Sequence, residues 1–320
     1  MNTEKLKYRG NENVIIKMME SEYMSIVVFD IGGSAVKYGL WENESLSNKA
    51  SFTTPKSWND MKEEMLGVYH SFSENYSIDG VAISAPGAVD AIEGTISGIS
   101  AVPYLHYFPI KKEWEDLFGV PVSMENDANC AALAELWLGA AKDIQHALFI
   151  VIGSGIGGSV IIDRKLFKGK DLFGGEFGYM LLDGKHTLSE MGSPVHTAER
   201  YSKELGLDVV VDGKFLFQEA DRGEPIAMKY VDGLIDALAL GIYNLSVSFN
   251  PDMVVIGGGL STRKDLIQRL NERAAFYLER QKAEDLKLVI EVCKFNNDAN
   301  LIGAVAHFEQ TVDYKKNRMK

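Results

Sequence analysis

A strand, glycine turn, strand design occurs twice in this chain, about 120 residues apart, and a duplication of that kind points to two related lobes. The first copy is the β-branched run Ile26-Val27-Val28-Phe29-Asp30-Ile31, which ends in Gly32-Gly33-Ser34 and resumes as Ala35–Trp41. The second is Ala147–Ile152, then Gly153-Ser154-Gly155-Ile156-Gly157-Gly158, then Ser159–Asp163. Elsewhere strands alternate with helices. The pattern predicts a helix around Trp58–Tyr76, a buried strand over Gly80–Ser84 closed by Pro86-Gly87, and a strand over Val120–Met124 that runs into Glu125-Asn126-Asp127. A helix over Ala128–Gly139 follows, then helices over Asp232–Ser248, Arg263–Gln281 and Asn300–Gln310, with strands over Met253–Ile256 and Leu288–Cys293. This alternation predicts an α/β fold with largely parallel sheets covered on both faces. The 320 residues suffice for two domains, and no low-complexity linker separates them, so a hinge is expected rather than a tether.

Composition narrows the partners. Basic residues number 33 against 45 acidic, a net charge of −12 that repels phosphate backbones and anionic lipid. Neither nucleic acid nor membrane is therefore expected as a partner. The basic cluster Lys315, Lys316, Arg318 and Lys320 reads as a solvated tail. Two cysteines, Cys130 and Cys293, can form neither a disulfide framework nor a Cys-rich zinc site, which fits a reducing cytoplasm. No apolar run approaches the roughly 20 residues of a membrane span. Charges interrupt residues 1–23, so they hold no signal-peptide core. They read as a disordered leader or an upstream start, with a functional arm as the alternative.

Five segments carry chemistry. Asp30-Ile31-Gly32-Gly33-Ser34 puts a carboxylate, two glycines and a hydroxyl in one turn, where backbone N–H groups can hold phosphate oxygens. Asp30 can hold Mg²⁺ through water, and Lys37 adds positive charge. The alternative is an ordinary Asp-Gly hairpin turn. The run from Gly153 to Gly158 lacks the Lys-Ser/Thr of a Walker loop and precedes a strand rather than a helix, which argues against a Rossmann fingerprint. Two such turns suit a nucleotide held between two hairpins. Gly257-Gly258-Gly259 would let a base or ribose approach the backbone, or is simply a β–α turn.

Glu125-Asn126-Asp127 lies where a strand gives way to a helix. An Asp there can accept the proton of an attacking hydroxyl while an Asn or Glu orients it; the alternative is helix capping by Asn126 or Asp127. Gly174-Gly175-Glu176-Phe177-Gly178-Tyr179 sets one acid among glycines, able to accept from neighbouring sugar hydroxyls. The six histidines show no HExxH spacing and read as structural, and both cysteines read as core.

In order and spacing these pieces resemble the ROK (repressor, open reading frame, kinase) sugar kinases from about residue 25 to 310. The resemblance implies a two-lobed actin-like, ribonuclease-H-like ATPase fold with a duplicated core. Residues 24–132 would form a small N-terminal lobe, joined by the C-terminal helix 298–312, and residues 133–297 a larger lobe. Residues 30–37, DIGGSAVK, and 151–158, VIGSGIGG, look like the phosphate motifs, while 83–87, ISAPG, and 125–127, END, match the sugar-lobe signatures. By resemblance Asp127 is the catalytic base, and Gly87, Asn126, Asp127 and Glu176 bind sugar. ATP is assigned to Asp30, Gly32, Gly33, Ser34, Lys37, Gly153, Ser154, Gly155, Gly157, Gly258 and Gly259.

Two departures matter. Tyr179 replaces the family's usual His, and residues 180–192, MLLDGKHTLSEMG, lack the zinc-binding cysteines, so no zinc is expected. Glu190 then corresponds to the sugar-contacting Glu that ends the motif, and Tyr179 joins the sugar-binding set. GEFGYM and ENDANCAALAE resemble β-glucoside kinases. The implied activity is ATP- and Mg²⁺-dependent phosphorylation of the 6-hydroxyl of a hexose or β-glucoside by a cytoplasmic homodimer. Glucokinase and N-acetylmannosamine kinase are the alternatives. The family's other branch, sugar-responsive repressors, carries a winged helix-turn-helix domain for which 23 residues are too few, and a net charge of −12 is wrong for DNA.

Overall fold

A computed structural model of the chain describes residues 24–312. The expected leader and the basic cluster at 315–320 lie outside the described residues. Strand β1 (Ile26–Ile31) is buried along its whole length, as a run of β-branched and aromatic residues with no polar alternation predicts. It turns through three residues into β2 (Ala35–Glu42) and then β3 (Ser45–Thr53), all antiparallel. Helix α1 (Trp58–Ser73) starts at Ser57, whose hydroxyl accepts from the backbone N–H of Asp60. Strand β4 (Gly80–Ala85) then pairs parallel with β1. A small hairpin, β5 (Ala88–Asp90) and β6 (Thr95–Ser97), and helix α2 (Ile110–Phe118) lead to β7 (Val122–Asn126), parallel to β4. Helix α3 (Asp127–Leu138) begins at once, with no loop between.

The second half repeats this plan. Strands β8 (Ala147–Ile152), β9 (Ile156–Ile162) and β10 (Lys165–Leu166) form the antiparallel part. Helices α4 (Leu188–Gly192), α5 (Pro194–Glu204), α6 (Gly213–Asp221) and α7 (Pro225–Phe249) follow. Then come β11 (Met253–Gly257), α8 (Leu266–Arg280), β12 (Ile290–Val292) and α9 (Ala299–Thr311), with β11 parallel to β8 and β12 parallel to β11. The sheet orders are β3-β2-β1-β4-β7 and β10-β9-β8-β11-β12, one topology used twice. The duplication read in the sequence is thus a repeat of a whole sheet.

Three expectations need correction. The sheets are mixed rather than largely parallel, because each glycine turn opens an antiparallel trio. The second turn covers only Gly153–Gly155; Ile156 already pairs with Ile152, and Gly157 and Gly158 sit inside β9. Helix α7 starts at Pro225, seven residues before the expected Asp232. Proline there is preorganised, and the Glu224 carboxylate caps the helix by accepting from the N–H groups of Ile226 and Ala227.

The last helix, α9, packs on the first sheet rather than the second. One face of β1 (Val27, Phe29, Ile31) meets Met61, Met65 and Trp114, while Ile26 and Val28 on the other meet Cys130, Leu301, Val305 and Phe308. Helices α9 and α3 touch where Gly303 faces the Cys130 carbonyl, and a methyl at Gly303 would overlap that oxygen. Both cysteines are buried, and burial pushes the Cys293 thiol up to about 12. Among the described residues no helix is long and apolar enough to cross a membrane.

Candidate active site

Asp30 is the penultimate residue of β1 and is 6% exposed. Its Oδ1 accepts from Ser84 Oγ on β4 (2.8 Å) and from Asn300 Nδ2 on α9 (3.0 Å), and its Oδ2 faces Lys37 Nζ at 3.5 Å. Three elements therefore converge on one carboxylate at the mouth of the Gly32–Ser34 turn. The turn is closed by Gly32 N–H donating to the Ala35 carbonyl and braced by Thr54, whose hydroxyl donates to Gly32 O at 2.6 Å. Gly33 and Ser34 are exposed at its tip.

The second turn has the same build. Gly153 N–H donates to Gly155 O, Gly153 and Ser154 are exposed, and Ser189 Oγ accepts from Ile156 N–H at 2.9 Å, pinning the strand behind the turn. Gly258 has φ of 86°, and a methyl there would run into the Ile152 backbone, so a side chain would force this connection away from the Gly153 turn. A cavity of about 570 Å³ opens beside them, lined by Gly153, Gly259, Thr262, Phe217 and Arg263 among others. The Arg263 guanidinium lies 4.7 Å from the Phe217 ring centre and bonds both Asp221 and Asp265, which makes that wall rigid. A smaller cavity of about 220 Å³ shares Gly259 and Thr262 and continues toward Asn300. Together they form a cleft sized for a nucleotide.

The β7–α3 junction lies within electrostatic reach of Asp30. Asn126 caps α3: its Oδ1 accepts from the N–H groups of Ala128 and Asn129, while its Nδ2 donates to the Gly87 carbonyl at 2.9 Å. Asn126 thus supplies the cap, and Asp127 stands at the first helical position with its carboxylate not needed for capping. Its Oδ1 accepts from Ala128 N–H at 2.8 Å. Burial, with the negative charges of Asp30 and Glu176 nearby, pushes the Asp127 carboxyl up to about 6 against those bonds. A carboxyl so placed can take a proton near neutral pH.

Glu176 precedes the short turn Phe177–Tyr179, and burial raises its carboxyl too. Tyr179 and Phe173 flank it as an exposed pair with ring centres 5.3 Å apart. Glu190 is placed differently. Its carboxylate closes a capping box on Thr187, accepting from the backbone N–H at 2.7 Å and the hydroxyl at 3.0 Å, and is held below the usual carboxylate range by those bonds.

Sequence reasoning did not pick out Asn300, Ser189 or Lys168, nor the partners that Ser84 and Glu125 hold. Each acts on a partner 33 to 270 residues away, and no local spacing announces it. Among the described residues no group of three or more His, Cys, Asp and Glu side chains gathers to hold a metal ion.

The chain matches the pattern of the ROK family over residues 26–311. It is 33% identical to a β-glucoside kinase of Klebsiella pneumoniae over 297 residues, 90% of this chain and 97% of that protein. A β-glucoside kinase of Listeria innocua is 34% identical over 297 residues, 90% of this chain and 98% of its own. A solved ROK family protein from Streptococcus pneumoniae, in complex with sucrose, has a TM-score of 0.81 at 31% identity, covering 92% of this chain and 100% of that one.

Proposed function

The chain belongs to the ROK family, and we propose that it is an ATP-dependent sugar kinase that phosphorylates the 6-hydroxyl of a β-glucoside. The observation that carries the reading is Asp127, its carboxyl held near neutrality by burial beside Asp30 and Glu176, in a fold whose second glycine turn lines a nucleotide-sized cleft. The sugar would bind against Glu176 and the Gly87–Asn126 edge, with ATP in the cleft and its phosphates toward Gly32–Ser34 and Gly153–Gly155. Asp127 takes the proton of the 6-hydroxyl as that oxygen attacks the γ-phosphorus. The new O–P bond forms while the bond to the β–γ bridging oxygen breaks, and ADP leaves with the electron pair. Most of the rate enhancement comes from positioning and charge neutralisation.

Asp30 fits a water-mediated Mg²⁺: it is an oxygen donor, its Oδ2 has among the described residues only a long contact to Lys37, and its charge works against that of Asp127. Bound there, the ion would neutralise phosphate charge. The lobe assignment 24–132 with 298–312, against 133–297, is supported by the packing of α9 on the first sheet. The same reading makes the protein a zinc-free cytoplasmic homodimer whose partners are a sugar and ATP.

Preference for a β-glucoside rests on the names of the two relatives and on the Phe173–Tyr179 pair, whose apolar faces suit a second sugar ring. The structural relative bound to sucrose is a case of a disaccharide on this fold. An ADP-release assay across cellobiose, gentiobiose, glucose and N-acetylmannosamine tests it. The β-disaccharides should give the highest kcat/KM. A tenfold preference for a monosaccharide, about 1.4 kcal/mol of transition-state binding, overturns the β-glucoside reading. No ADP release with any sugar overturns the kinase.

A further inference from the structure

Glu125 stands two residues before Asp127 and is 1% exposed, a rare position for a carboxylate. Its Oε1 accepts from the backbone N–H of Asn126 at 2.8 Å and from Asn129 Nδ2 at 3.0 Å. The countercharge comes from the other half of the molecule. Lys168 Nζ donates to Oε1 at 3.0 Å and Oε2 at 2.8 Å, and to the Val89 carbonyl at 2.7 Å. All three ammonium protons are thereby spent within the protein, so Lys168 has none left for a substrate. His307 Nε2 lies 3.7 Å from Glu125 Oε2, but burial favours its neutral form, and Lys168 remains the charge partner.

Lys168 sits where three parts of the acceptor pocket meet. Its own carbonyl accepts from Gly174 N–H at 2.8 Å, closing the loop that delivers Glu176 two residues later. Val89 belongs to the hairpin that follows Gly87, the residue held by Asn126. Glu125 anchors the junction that presents Asp127. A buried ion pair is a weak source of stability, since apolar residues of like size often serve as well, but it fixes the geometry of the elements it joins.

We propose that Lys168 is a positioning residue for the phosphoryl acceptor, fixing Glu176 and Asp127 relative to each other across the two lobes. The proposal rests on the sugar-kinase reading of this site. Its test compares Lys168→Met and Lys168→Arg with wild type on the best sugar found. In Lys168→Met, kcat/KM for the sugar should fall at least about tenfold, within the ~10²-fold that a 1 Å misplacement costs. The KM for ATP should stay within about twofold, because the nucleotide cleft is untouched. Lys168→Arg, which keeps the charge and can reach both carboxylate oxygens, should recover part of the loss. Should the stranded Glu125 charge prevent Lys168→Met from folding, the double variant Glu125→Gln/Lys168→Met removes it and should still show the sugar defect. Sugar kinetics within about twofold of wild type in a folded variant, or ATP and sugar parameters that fall together, overturn the proposal. A wild-type protein that phosphorylates no sugar overturns the kinase reading, and this proposal with it.

Discussion

Asp127→Asn should make the folded protein more stable at neutral pH while it removes catalysis. Burial, joined by the charges of Asp30 and Glu176, lifts this carboxyl from 3.8 to about 6. The folded chain therefore holds the proton more tightly than the unfolded chain. Stability contributed by this group is present at low pH, declines as pH rises from about 4 to about 6, and stays lost above that. Two units at about 1.36 kcal/mol each set a ceiling of about 3 kcal/mol. Asparagine carries no charge, and its Oδ1 can keep the bond from Ala128 N–H, so most of that ceiling is recoverable. A gain of about 1–3 kcal/mol, or a few degrees in Tm at about 2–4 °C per kcal/mol for larger domains, should appear at pH 7.5. Thermal and urea unfolding of both proteins without ligands, at pH 4, 5.5 and 7.5, measure the difference. The gain should shrink toward zero at pH 4. An Asn variant no more stable than wild type at pH 7.5, or equally favoured at pH 4, would refute the claim that Asp127 is held against its ionisation.

The remaining predictions are shorter. For the wild-type protein kcat/KM for the sugar should rise with pH through an acidic limb near 6, because Asp127 acts ionised; a flat profile from pH 5 to 7 removes it as the base. Gly258→Ala, which drives a methyl into the Ile152 backbone, should raise the KM for ATP about tenfold and leave that for sugar nearly unchanged; an unaltered ATP KM denies that this turn bounds the nucleotide cleft. The protein as purified should hold no stoichiometric zinc, since residues 180–192 lack cysteine. One dialysis-resistant zinc per chain by elemental analysis would contradict that, with His186 and His196 the first ligands to examine.

The parts legible in the sequence are those set by local chemistry. The run from Ile26 to Ile31 and its glycine turn declare a buried strand and hairpin, and their recurrence at Ala147 declares a second sheet of the same order. Boundaries set by pairing were harder: Gly157 and Gly158 look like turn residues until Ile156 is seen to pair with Ile152. In the site, Asp127 and Asn126 stood out through their place between strand and helix. Their division of labour did not, because it depends on which side chain reaches Ala128 and which reaches Gly87. Glu125 stands out beside Asp127 as a group to orient a hydroxyl, while nothing in the local sequence singles out Lys168 as its partner. Only the fold brings them within 2.8 Å across 43 residues. Glu190, read as a sugar contact from its position in the motif order, also caps its own helix: its Oε2 accepts from Thr187, a role the motif does not announce.

The central claim is that Asp127 is the base of a sugar kinase, and single-site kinetics test it most directly. Asp127→Asn leaves Glu176, Asn126 and the nucleotide cleft in place, so sugar affinity measured by calorimetry should survive. Turnover in the ADP-release assay should fall about 10²–10⁴-fold, the usual contribution of a well-placed general base. A variant that binds sugar normally and keeps more than about a tenth of the wild-type rate would contradict the account.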